Sequence, residues 1–150
     1  MRTAKTDAEV WSNPDSAALQ HILRDTRTVA VVGASSNPAR PSYGVYDYLA
    51  RHSHYELYPV NPTITDIDGA AAYPSLSDLP VVPDMVDVFR RREELPNVIA
   101  DVLALTSRPK CLWLQQGLWD DGVAAEAEAA GLQVVMDRCL KVDYARLIGS

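Results

Sequence analysis

The residues with the plainest chemical potential lie between Gly33 and Arg40. Gly33-Ala34-Ser35-Ser36-Asn37 is a run of small residues, and Arg40-Pro41 follows at once. Set between a strand and a helix, such a loop offers backbone N–H groups to an anion, and the positive end of the helix dipole adds to the attraction. Gly33 supplies a sharp turn. Ser35, Ser36 and Asn37 add side-chain donors, and Arg40 adds a guanidinium suited to phosphate oxygens. The plainer reading is an ordinary strand-to-helix turn with Ser42 capping the helix.

The run departs from the dinucleotide fingerprint G-x-G-x-x-G, because Ser35 and Pro38 stand where its second and third glycines belong. That fingerprint also requires an acid at the end of the second strand to hold a ribose diol. Here the strand ends Val60-Asn61-Pro62, and Asp66 and Asp68 come only later. No arginine replaces the acid, and the P-loop pattern is absent. These gaps count against an NAD(P)-binding small oxidoreductase, the alternative that the loop alone leaves open. No nucleophile elbow or metal-ligand spacing is present. Cys111 and Cys139 lie in separate segments and form no C-x-x-C pair. His21, His52 and His54 fit the surface or helix ends. Cys139 follows a strand directly and has Arg138 beside it, whose charge favours a thiolate. It reads either as a small buried residue or as a thiol available for chemistry.

Helix and strand patterns alternate along the whole chain. Short apolar runs at 28–33, 55–60, 85–89, 110–114 and 132–136 predict strands, and their continuity predicts a sheet covered on both faces. Pro59 weakens the end of the second run. Helices are expected after Asn13-Pro14-Asp15, from Pro41, over 95–105 with Pro96 in the first turn, over 123–130, and over 142–147. Between 69 and 77 the chain reads as an irregular connection. The expectation is an α/β fold: a doubly wound, five-stranded parallel sheet with helices on both faces. In such a sheet ligands bind beyond the carboxyl ends of the strands, where strand order reverses. In Arg90-Arg91-Arg92-Glu93-Glu94, only Arg90 is then expected to face that cleft, the rest being a solvated helix entry.

With 150 residues, 47% of them hydrophobic and 23% charged, the chain fits one domain over 1–150, with 1–13 as a loosely ordered lead-in. A net charge of -6 gives no electrostatic footprint for nucleic acid. No apolar run is long enough for a membrane span, no signal peptide is evident, and a reducing cytoplasm is the simplest compartment. A homo-oligomer or an unidentified protein partner is compatible with the sequence, which carries no signal specific to either.

Taken together, Gly33-Ala34-Ser35, Asn37-Pro38, Arg40-Pro41 and Pro59-Val60-Asn61-Pro62 resemble the small bacterial CoA-binding-domain proteins. Their Rossmann-like unit is shared with the CoA-binding domain of the succinyl-CoA synthetase alpha subunit. Further matches are Gly69 with Tyr73-Pro74-Ser75-Leu76, Asp87-Val88-Phe89-Arg90, Trp113-Leu114-Gln115-Gln116-Gly117 and Met136-Asp137-Arg138-Cys139. The resemblance implies coenzyme A or an acyl-CoA as ligand, bound by a non-catalytic carrier, sensor or regulatory module. It assigns Gly33, Ala34, Ser35, Ser36 and Asn37 to the pyrophosphate, with Arg40 neutralising charge. Val60, Asn61 and Pro62 would line the adenosine end, Phe89 and Arg90 would flank the pocket, and Gln116 and Gly117 would lie near the pantetheine arm. Thiol chemistry at Cys139 would then involve CoA, as a mixed disulfide.

Overall fold

The computed structural model describes residues 11–149; residues 1–10 of the expected lead-in over 1–13 lie outside them. Trp11 packs against the core, and Asn13 brackets Met136, donating to its carbonyl oxygen at 2.8 Å and accepting from its amide at 2.8 Å. The last residues of the lead-in are therefore fastened to the end of the final strand.

Five parallel strands form the sheet: β1 (Thr28–Val32), β2 (Glu56–Val60), β5 (Met85–Val88), β6 (Cys111–Leu114) and β7 (Gln133–Val135). Their spatial order is β2-β1-β5-β6-β7. The chain thus winds outward from β1 to β2, returns past β1 to β5, and continues the other way. Strand order reverses between β1 and β5, which is where a crevice opens in a doubly wound sheet. The register aligns Val31, Asp87 and Trp113 across the three central strands.

The central strands β1 and β6 are apolar on both sides because each face is covered, and β5 departs from this only at the buried Asp87. Val29, Val31, Met85, Cys111, Trp113 and Val135 pack under α1 (Ser16–Asp25), α2 (Pro41–His52) and α5 (Leu140–Leu147). Ala30, Val32, Val86, Val88, Leu112, Leu114 and Val134 pack under α3 (Leu95–Leu103) and α4 (Asp121–Ala129). The period-two alternation of a strand divides its side chains between these two cores.

Pro59 sits within β2 without harm, because β2 is an edge strand. The edge is partly closed by Tyr73, whose amide donates to Pro59 O at 2.9 Å and whose carbonyl accepts from Asn61 N at 2.9 Å. The expected irregular connection contains a short antiparallel hairpin, β3 (Asp66–Ile67) with β4 (Ala70–Ala71), and a tight helical turn at Leu76–Asp78. A hydrogen bond from Tyr43 Oη to Asp68 at 2.6 Å ties this hairpin to α2 and raises the phenol's pKa.

Helix entries follow the sequence in part. Asp15 caps α1, its carboxylate accepting from Ala18 N at 2.9 Å, and Pro41 is the first residue of α2. Ser42 does not cap α2: the cap position falls on Arg40, which makes no side-chain capping bond, and Ser42 is buried inside the first turn. No helix among the described residues is long and apolar enough to cross a membrane.

Candidate functional site

The main cleft lies at the carboxyl ends of β1, β2, β5 and β6, at the reversal of strand order, and encloses about 750 Å³. Gly33, Ser35 and Arg40 come from the segment after β1, Asn61 from the end of β2, and Phe89 and Arg90 from the end of β5. Gln116 and Gly117 follow β6, and Cys139 follows β7. The structure therefore brings together nine of the residues expected from the sequence. It adds Pro41, Ser42 and Val45 from α2, Thr63 and Ile64, Arg91, Gln115 and Leu118.

The turn at Gly33 is set by close packing of backbone on backbone. Its φ is +86°, its amide donates to Val60 O at 2.9 Å, and Phe89 N donates to Val32 O at 2.8 Å. Ala34 is fully buried and does not line the cleft; its carbonyl accepts from Asn61 Nδ2 at 2.8 Å. Asn61 Oδ1 accepts from Thr63 N and Oγ1, so this side chain clamps the ends of two strands together.

The loop is less generous with donors than its sequence suggests. Ser35 Oγ accepts from Asn37 N at 3.0 Å, and Asn37 Oδ1 accepts from Ala39 N at 3.0 Å. The amides of Ser35 and Ser36 keep no partner among the described residues. Ser36 and Asn37 are exposed beyond the cleft wall and do not line the cavity, and of the two the Asn37 side chain shapes the loop.

Val60 and Pro62 also lie outside the main cleft. They line a second chamber of about 210 Å³ with Val32, Pro74, Leu76 and Val98, rimmed by Ser75, Glu94, Asn97 and Asp101. Alternation along β2 explains the division: Val60 and Asn61 are consecutive, and consecutive side chains leave a strand on opposite faces. A third recess, of about 550 Å³, is walled by Arg40, Phe89, Arg90, Arg91 and Glu94. Arg90 borders all three spaces.

At the other end, Gln115 Oε1 accepts from Leu140 N at 3.1 Å and Asp137 accepts from Gly117 N at 2.7 Å. These bonds hold the segment after β6 against the segment after β7. Cys139 is half-buried there, whereas Cys111 is enclosed and its thiol pKa is pushed up by burial. Arg138 does not attend the Cys139 thiol. Its guanidinium grips the buried carboxylate of Asp143 through two bonds, at 2.5 and 2.7 Å, and its carbonyl accepts from Trp113 Nε1. The histidines stay at the periphery, with His21 paired to Asp25 along α1 and His54 bonded to Tyr144 Oη and Thr26 O.

The sequence model of the CoA binding domain matches residues 27–145. The chain belongs to the CoA-binding-domain family. Among the family's relatives, the uncharacterized protein YneT of Bacillus subtilis is 39% identical over 133 residues, covering 89% of this chain and 96% of its own length. A solved structure from Thermus thermophilus superimposes with a TM-score of 0.82 at 38% identity, covering 89% of this chain and 99% of that one. The alpha subunit of an ADP-forming acetate–CoA ligase II from Pyrococcus furiosus is 34% identical over 59 residues, which are 39% of this chain and 13% of that protein. In this CoA-binding domain, the shared fold positions the cleft at the strand reversal between β1 and β5.

Proposed function

We propose that the chain binds coenzyme A or an acyl-CoA, as a carrier, sensor or regulatory module without chemistry of its own. The observation that carries this reading is the position of the Gly33 loop between two unlike spaces. On one side is the small chamber of Val60, Pro62, Leu76 and Val98, edged by Ser75, Arg90, Glu94, Asn97 and Asp101; on the other the cleft runs to Gln116, Gly117 and the Cys139 thiol. An extended ligand with a flat base at one end, phosphates in the middle and a thiol arm at the other suits that layout. The pyrophosphate would meet the Ser35 amide and the uncapped start of α2, with Arg40 as counter-charge. Adenine would enter the chamber, where Ser75 and Asn97 offer polar edges.

Among the described residues, the wall of the main cleft holds amides, hydroxyls, guanidiniums and one thiol, with no carboxylate or imidazole. That chemistry favours holding an anionic ligand over acid–base work. The site also lacks what an adenine dinucleotide requires at the end of β2. Asn61 is occupied by Ala34 O and Thr63, Asp66 accepts from Gly69 N, and Asp68 accepts from Tyr43.

Thermal unfolding with CoA, acetyl-CoA, NAD and NADP side by side tests the reading. A ligand at one hundred times its Kd stabilises by about 2.7 kcal/mol. Stabilisation by the CoA species and not by NAD is expected; a shift with NAD alone overturns the proposal.

A further inference from the structure

The run Arg90-Arg91-Arg92 reads in sequence as one solvated helix entry, but the structure divides it. Arg90 and Arg91 wall the recess between the main cleft and the adenine-sized chamber, together with Arg40 from the opposite loop. Arg92 lines a different hollow with Glu93, Pro96 and Asp120. The break occurs because α3 starts only at Leu95, so Arg91 is still extended, with φ -67° and ψ 153°, ahead of the tight turn Arg92–Glu94.

Three guanidiniums thus face one recess, with Glu94 the single carboxylate in its wall. None of the three forms an ion pair within 4.0 Å among the described residues. The chain as a whole has a net charge of -6, so this local excess of positive charge runs against its overall balance. Like charges gathered without partners repel, and a dianion placed among them relieves that cost while accepting several charge-assisted hydrogen bonds. The recess shares Arg40, Phe89, Arg90 and Arg91 with the main cleft, and Arg90 and Glu94 with the second chamber. A group there lies between a pyrophosphate held by the loop and a base held in the chamber, the place of a nucleotide's ribose.

We infer that Arg40, Arg90 and Arg91 form a second anion site, for a phosphate monoester on the ribose, and that Arg91 sets the preference for CoA over its 3′-dephospho form. This rests on the CoA reading above and extends it to the part of the ligand that decides specificity. Arg91 serves best as the probe, because Arg40 also serves the loop and Arg90 borders both other spaces.

Calorimetric titration of CoA, dephospho-CoA and NADP into the wild type, Arg91→Gln and Arg92→Gln tests it. The wild type is expected to bind CoA about ten- to hundredfold more tightly than dephospho-CoA, the range for hydrogen bonds to a charged group. Arg91→Gln should lose most of that ratio by weakening CoA alone, and Arg92→Gln should keep it. The ratio should also shrink as salt is raised, since exposed charges are screened. Equal wild-type affinity for CoA and dephospho-CoA overturns the second anion site while leaving the CoA reading intact. A ratio that survives Arg91→Gln, or falls equally in Arg92→Gln, overturns the role of Arg91. Failure of both CoA forms to bind, or tighter binding of NADP than of CoA, overturns the CoA reading itself and this inference with it.

Discussion

The carbonyl oxygen of Phe89 occupies the space that a side chain on Gly33 would need. A Cβ built there lies 2.1 Å from that oxygen and 2.8 Å from the carbonyl carbon. Both atoms are backbone, so the clash cannot be relieved by rotating a side chain. Strand β1 and the end of β5 therefore approach closely only because position 33 is glycine, and the loop that walls the cleft starts at that contact. Gly33 also has φ +86°, which costs other residues about 1–3 kcal/mol. Gly33→Ala is expected to destabilise by at least that amount and to abolish ligand binding. Gly44, within α2 and with nothing within 4 Å of its Cβ position, supplies the contrast. Gly44→Ala should stabilise by about 0.5–1 kcal/mol. Denaturant midpoints measure both; an unchanged midpoint for Gly33→Ala would refute the packing argument.

Arg40 is exposed and forms no ion pair among the described residues, although it lies at the start of α2 facing the cleft. Its removal should leave the fold untouched. Arg40→Ala is expected to weaken CoA binding by about 1.5–3 kcal/mol, as for a hydrogen bond to a charged group, with no change in melting temperature. Titration calorimetry decides this, and an unchanged Kd removes Arg40 from the site.

Much of this arrangement was legible in the sequence. The five apolar runs gave the sheet because parallel strands covered on both faces carry no polar stripe to confuse them. The segments after those runs gave the cleft, because a doubly wound sheet exposes only its strand ends to a ligand. What stayed hidden was set by side-chain direction. Val60, Asn61 and Pro62 read as one wall, yet alternation sends Val60 and Asn61 to opposite faces. Arg91 read as helix entry because the sequence does not show that the helix waits until Leu95. Thr63 and Ile64 reach the cleft from the β2–β3 connection, which had no pattern to mark it. Arg138 read as the neighbour of the Cys139 thiol, but the buried Asp143, one turn into α5, holds it more strongly.

Asp87 stands at the centre of the sheet between Val31 and Trp113, wholly buried, and neither carboxyl oxygen has a hydrogen-bond partner among the described residues. Burial raises its pKa well above the ordinary 3.8, which favours the neutral carboxyl in the folded chain. The unfolded chain releases that proton above 3.8. The stabilising contribution of proton retention is thus complete below the unfolded value and declines as pH rises towards the folded one, by up to ~1.4 kcal/mol per pH unit. Asp87→Leu, similar in size and apolar, is expected to lose this slope and to gain stability relative to the wild type as pH increases. Denaturant melts at pH 5, 6, 7 and 8 give the comparison. Parallel curves for the two proteins would show that Asp87 is not held neutral.

Cys139 closes the far end of the cleft, half-buried, at the start of α5, while Cys111 is enclosed within the sheet. If the thiol arm of CoA lies along Gln116 and Gly117, Cys139 is the thiol that it meets. Oxidised CoA then supplies a direct test. The Cys139 thiolate attacks one sulfur of the CoA disulfide, a protein–CoA mixed disulfide forms, and one CoA leaves as its thiolate. Intact-mass analysis of the wild type should show a single CoA adduct, which peptide mapping places on Cys139, and Cys139→Ser should show none. Dephospho-CoA disulfide should react more slowly at limiting concentration if the second anion site guides the ligand. Arg138→Met is expected to act differently, lowering stability by stripping the buried Asp143 carboxylate of its main partner. The loss should fall below the about 3–5 kcal/mol typical of fully buried pairs, because the Arg138 side chain is 35% exposed and Arg146 remains at 3.4 Å. An equal adduct on Cys139→Ser, or none on the wild type, would remove the thiol from the reading and leave the cleft as a binding surface alone.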